Sequence, residues 1–166
     1  MKKYFLLALL AVSFVSCEEE LSVNEPTMEA MNGYNFWRAS SFVANVTDGD
    51  LVIVGANGSE NVTLYIDNYL SGTEYPLGVS NYNVATYSKT VNDKMYLYST
   101  SSSTGKGYIK LDPEEKQVPG TISGTFMAEM VPTDPNMVLS EAPVVNFNKG
   151  VFFRIPIKYA QTTPTE

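Results

Sequence analysis

Ile122-Ser123-Gly124-Thr125-Phe126-Met127-Ala128-Glu129-Met130 sets Ile122, Gly124, Phe126, Ala128 and Met130 on one side and Ser123, Thr125, Met127 and Glu129 on the other. A period of two is the signature of a strand with one face turned to a core. A second such run follows, with Val151, Phe153, Ile155 and Ile157 alternating. Pro156 lies inside it and has no N–H for a ladder, which predicts an edge strand or a bulge there. The stretch between them, Pro132 to Pro143, carries three prolines and is too long for a hairpin turn.

Upstream, Phe42, Ala44 and Val46 alternate, Asp48-Gly49-Asp50 makes a turn, and Leu51 to Val54 is continuously apolar. That reads as a hairpin whose second strand is buried on both faces. After Asn57-Gly58-Ser59-Glu60, Val62, Leu64 and Ile66 face one way and Thr63, Tyr65 and Asp67 the other, extending the hairpin to a meander. Shorter strands are predicted at 75–78, 84–88, 95–98 and 108–112, separated by Gly, Asn, Asp and Ser clusters. Beyond the N-terminal segment no stretch has the 3.6-residue apolar spacing of a helix. About nine short strands, mostly in meander order, predict an all-β antiparallel sandwich or partly open barrel.

The N-terminus is of another kind. Met1-Lys2-Lys3 precedes an apolar run from Tyr4 to Val15, the layout of a secretory signal. At ~1.5 Å per residue this run is too short for a ~30 Å hydrocarbon core. Phe14-Val15-Ser16-Cys17 resembles the bacterial lipobox, which implies cleavage after residue 16 and lipidation of Cys17. Phe14 departs from the aliphatic residue preferred there. Several acyl chains, each CH₂ worth roughly 0.8 kcal/mol in lipid, would make the attachment permanent. Glu18-Glu19-Glu20 resembles the acidic export tag of Bacteroidetes lipoproteins, which implies the outer face of the outer membrane; a periplasm-facing position is the alternative. Residues 17–31 read as the lipidated cysteine and an acidic tether, 32–160 as one β domain, and 161–166 as a C-terminal tail.

Composition narrows the chemistry. The chain has no histidine, one cysteine and a formal net charge of −7. The commonest general base and metal ligand are missing, and an intrachain disulfide is excluded. The acidic surface disfavours nucleic acid as a partner. No cofactor or metal site is expected. Asp48 and Asp50 read as turn residues rather than calcium ligands, since a calcium loop gathers six or more oxygens. Glu114-Glu115 reads as a solvated turn after Asp112-Pro113.

Landmarks along the chain carry a family resemblance: Gly33, Trp37 and Ala39; Ser123-Gly124-Thr125-Phe126; Gly150-Val151-Phe152; and the lipobox ending at Cys17. The sequence resembles a family of small Bacteroidetes lipoproteins described only as a domain of unknown function. The resemblance implies the address and the β architecture, and no activity. Trp37, the one tryptophan, is expected in the core. Tyr65, Tyr96, Tyr98 and Tyr108 are candidates for a ring platform facing solvent and a glycan or protein ligand.

The expected function is therefore non-catalytic: a lipid-anchored domain that binds or displays a glycan or protein. The alternatives are a periplasm-facing assembly partner of another outer-membrane protein, contacted through the 132–143 loop, and a glycoside hydrolase built on Asp and Glu alone. Metabolic labelling with palmitate should mark the wild-type chain and leave Cys17→Ala unlabelled.

Overall fold

The computed structural model describes residues 25–160, so Cys17, the Glu18-Glu19-Glu20 run and the 161–166 tail lie outside the described residues. The strands are β1 (Thr27–Asn32), β2 (Asn35–Arg38), β3 (Ser41–Thr47), β4 (Asp50–Asn57), β5 (Glu60–Ile66) and β6 (Glu74–Leu77). They continue as β7 (Asn83–Val91), β8 (Lys94–Ser99), β9 (Lys106–Leu111), β10 (Thr121–Pro132) and β11 (Val145–Tyr159). Among these residues no helix is long and apolar enough to cross a membrane.

The architecture is all-β, as the alternation predicts. Hydrogen bonding runs β2-β1-β11-β3-β4-β5-β7-β8-β10-β9-β6, and β10 also pairs with β11. The two longest strands thus serve both layers. β11 pairs with β1 through Phe153 and then with β3 from Ile157, the one parallel pairing. β10 pairs with β9 through Glu129 and then with β8 from Val131. The meander β3-β4-β5-β7-β8 is closed by this pair of shared strands, and β2, β1, β9 and β6 flank it on either side.

Turn chemistry sets the hairpins. Asp48 and Gly49 have φ of 53° and 94°, and Asn92 and Asp93 have φ of 50° and 60°, the doubly left-handed pairs that match the twist of antiparallel strands. Inside, an aromatic cluster forms around Phe147. Its ring lies 5.6 Å from Trp37, edge to face, 5.5 Å from Tyr87 and 6.4 Å from Phe126. Such pairs add about 0.5–1.5 kcal/mol each beyond the area they bury.

Three expectations are corrected. Order begins before residue 32: Met28 and Ala30 of β1 are buried, and β1 pairs with β11 from Thr27 onward. β4 is not buried on both faces, because Leu51, Ile53 and Gly55 face inward while Val52 and Val54 are half-buried outside. In β11 the inward residues are Val145, Phe147, Gly150, Phe152 and Ile155, not Val151 and Phe153. Two extra residues explain the change. Phe126 and Ala128 face Gly150 and Phe147, while Ile122 and Gly124 face Ile155 and Phe152, so β11 spends three residues where β10 spends two. Each bulge holds a left-handed residue, Lys149 at φ 51° and Arg154 at φ 50°, and each reverses the face parity.

Of the two settings expected for Pro156, an edge or a bulge, the structure shows the second: the strand is interior, and the bulge at Arg154 lies just before the proline. The Ile157 N–H donates to Gly120 O on the β10 side, so the Pro156 nitrogen points the other way. There β1 has already ended and β3 has not begun, and no ladder bond is lost.

Gly150 sits where strand and ring meet: a Cβ on it would lie 2.5 Å from the Phe126 ring. Gly150→Ala should cost about 1–3 kcal/mol through overpacking, read as a lowered urea midpoint with an unchanged slope.

Candidate functional site

The end of the sheet where β4 finishes and β5 begins opens into a cleft of about 530 Å³. Its floor is formed by two rings of the aromatic cluster, Trp37 from β2 and Tyr87 from β7, with Val145 from β11. Its lip is the β1–β2 hairpin, whose turn is tied to β11 by the Gly33 N–H donating to Asn146 O at 3.0 Å. That hairpin holds Tyr34 and Phe36 in solvent, 102% and 62% exposed.

The opposite wall is the loop after β10. Tyr98 is buried, and its hydroxyl accepts from the Leu139 N–H and donates to Ala142 O, both at 2.8 Å. The hydroxyl thereby fixes a tight turn that buries Leu139 and sets Glu141 and Val144 toward the cleft. The loop read as a partner contact is thus folded back as part of the domain.

Charge enters through three residues. Glu60 opens β5 and faces Lys89 of β7 across the ladder, with Nζ 3.5 Å from Oε1. The same ammonium lies 3.9 Å from Glu141, tying the loop to the sheet. An ion pair this open is worth at most about 1 kcal/mol, so the triad organises the wall more than it stabilises the fold. Glu141's own backbone N–H and the Ser140 hydroxyl, with Lys89 adding attraction, hold its carboxyl below the ordinary glutamate range. Burial pushes the Tyr87 phenol up, and the Glu60 carboxylate beside it adds to the effect. The amides of Asn32, Asn35, Asn57 and Asn146 complete the polar lining.

One polar atom in the floor is unsatisfied. The Trp37 indole N–H is buried without a hydrogen-bond partner. Leaving such a donor unpaired costs about 1–3 kcal/mol, which a core residue chosen only for packing would avoid.

The four tyrosines singled out in the sequence do not form one platform. Tyr98 is spent on the loop, and Tyr96 packs half-buried against the core. Tyr65 lies on the outer face of β5, its hydroxyl donating to Asp50 at 2.7 Å. Tyr108 is on the outer face of β9, in a separate hollow with Met31, Met127 and Lys149. Trp37 is in the core as expected, at 3% exposure.

At the other end of β4 and β5, Asp50 and Asp67 form a second acidic pair. The Tyr65 hydroxyl and the Asn68 N–H hold Asp50 low, while desolvation and Asp50 itself raise Asp67. Among the described residues no group of three or more His, Cys, Asp and Glu is placed to hold a metal ion.

Sequence reading missed Glu60, Lys89 and Glu141. For Lys89 a signal existed: it shares the strand parity of Ala85 and Tyr87, which would turn a lysine toward the core side. Glu141, in a loop without periodicity, had none.

A family model with the description Domain of unknown function (DUF6252) matches residues 24–156. No curated protein and no solved structure matches the chain.

Tyr98→Phe should leave the Leu139 N–H and Ala142 O without their partner, at about 1–3 kcal/mol. Hydrogen exchange at the Leu139 amide should accelerate more than at Ile53 in the centre of β4.

Proposed function

The chain belongs to the family described as Domain of unknown function (DUF6252), and we propose that it is a non-catalytic, lipid-anchored outer-membrane protein that binds a glycan or protein through this cleft. The observation carrying the binding role is the cleft itself, where bare aromatic rings, amides and carboxylates meet over an orphaned indole N–H. A concave site with an apolar floor and a few convergent polar groups is the common form of a ligand pocket, and its volume falls in the roughly 300–1,000 Å³ range of such sites.

The anchor and the outward orientation rest on the sequence: the apolar leader, Cys17 and the acidic run Glu18-Glu19-Glu20. A net charge of −7 disfavours docking on anionic lipid by charge, which is consistent with attachment through a lipid anchor.

A carboxylate-only hydrolase is the rival reading, favoured by one observation: Glu60 and Glu141 line the same cleft and share Lys89. A glycosidase of this kind needs one carboxyl with a raised pKa to give a proton to the leaving group. Glu141 is shifted the other way, and the Lys89 ammonium is paired with both acids, which favours their charged forms over a proton donor. The periplasm-facing assembly role would use the same cleft, since the proline-rich loop forms one of its walls.

Protease treatment of intact cells separates the two orientations. The domain should be lost while a periplasmic control protein survives; protection of both would instead put the domain on the inner face and favour the assembly role.

A further inference from the structure

Resting on the reading of the cleft as a binding site, we propose that its ligand is a neutral oligosaccharide, stacked on Phe36 and Tyr34 and hydrogen-bonded by Glu141 and the asparagines.

A sugar ring has two kinds of surface: faces of C–H bonds, and an equator of hydroxyls that both donate and accept. The cleft supplies both complements. Phe36 and Tyr34 present aromatic faces to solvent at the lip, where an apolar ring has no packing reason to be. Next to them the amides of Asn32, Asn35, Asn57 and Asn146 each carry a donor and an acceptor, as a hydroxyl does. Glu60 and Glu141 add charged acceptors, which form the stronger hydrogen bonds to O–H groups.

The sign of the charge selects among sugars. Two carboxylates stand against one ammonium, and Lys89 is already engaged by both. Among the described residues the lining therefore has a surplus of negative charge and no cation besides Lys89 to receive a uronate, sulfate or phosphate. An extended peptide is the competing ligand, because β2 is an edge strand with backbone groups open to pairing. Against it, β2 is only four residues long, and four asparagine amides beside two bare rings are more than strand addition requires.

Trp37 provides the readout. It is the chain's one tryptophan and lines the cleft floor, so its emission reports on this site alone. The full-length protein in detergent is titrated with an array of neutral oligosaccharides built on glucose, mannose, galactose and N-acetylhexosamines, with sulfated oligosaccharides and extended peptides in parallel. The expected result is a saturable Trp37 shift with at least one neutral glycan and none with the sulfated set. Phe36→Ala and Glu141→Gln should each weaken binding about tenfold or more. Both side chains are exposed, so both variants should fold, as checked by near-ultraviolet circular dichroism.

Peptide binding with a Trp37 shift, and no response to any neutral glycan up to millimolar concentration, would overturn the carbohydrate assignment and leave the cleft's binding role standing. Glycan binding untouched by both substitutions would move the site elsewhere and overturn the proposal. Silence toward every probe would sink both readings.

Discussion

The β10–β11 ladder is the constraint on which the rest of the structure depends. Every other strand is linked to one of these two by pairing, directly or through one or two intervening strands. Because each changes partner partway along, β11 from β1 to β3 and β10 from β9 to β8, the two layers are joined by continuous backbone rather than by side-chain packing alone. That geometry demands a bend, and β11 supplies it through the bulges at Lys149 and Arg154. A left-handed backbone is unfavourable at a non-glycine residue, of order 1 kcal/mol, and is tolerated where surrounding pairing over-determines it. At Arg154 the support is visible: its N–H donates to the buried Ser123 hydroxyl at 2.9 Å, and Ser123 is itself held by Gln117.

The cleft follows from the same pair of strands. The loop that connects them returns over the open end of the sheet and forms one wall of the cleft. Tyr98 satisfies two of that loop's backbone groups with one hydroxyl, which removes the usual objection to burying irregular chain. Phe147, near the start of β11, simultaneously fills the centre and touches Trp37 and Tyr87. The floor of the cleft is thus the top of the core. A ligand there would rest on some of the least compressible material in the molecule, which favours a preformed site.

Legibility in the sequence tracked the physics of each element. Strands with a core on one side and water on the other, such as Val62 to Ile66 and Ile122 to Met130, announce themselves by alternation. β1 did not, because only Met28 and Ala30 carry its inward face and Glu29 and the acidic residues before it resemble a solvated tether. In β11 the alternation was real but its face was misread, since a bulge adds one residue without any compositional mark; Lys149 and Arg154 are not the glycines that usually betray one. The opposed partners, Phe126 to Gly150 and Gly124 to Phe152, show why small residues stand where large rings cross.

The candidate site was the least legible part, and for a different reason. Its charged residues come from the start of β5, the end of β7 and a loop, separated in sequence and joined only once the loop folds back on the sheet. Tyrosines drew attention because they are numerous, yet abundance says little about placement: Tyr98 proved to be a structural clamp and Tyr65 a partner of a turn carboxylate. The more informative mark was the lone tryptophan. A single tryptophan satisfies packing by its ring, and packing alone leaves its N–H unexplained. A phenylalanine would fill an apolar site without that penalty, so the retained indole, beside two rings left bare to water, points to a surface shaped by something outside the fold.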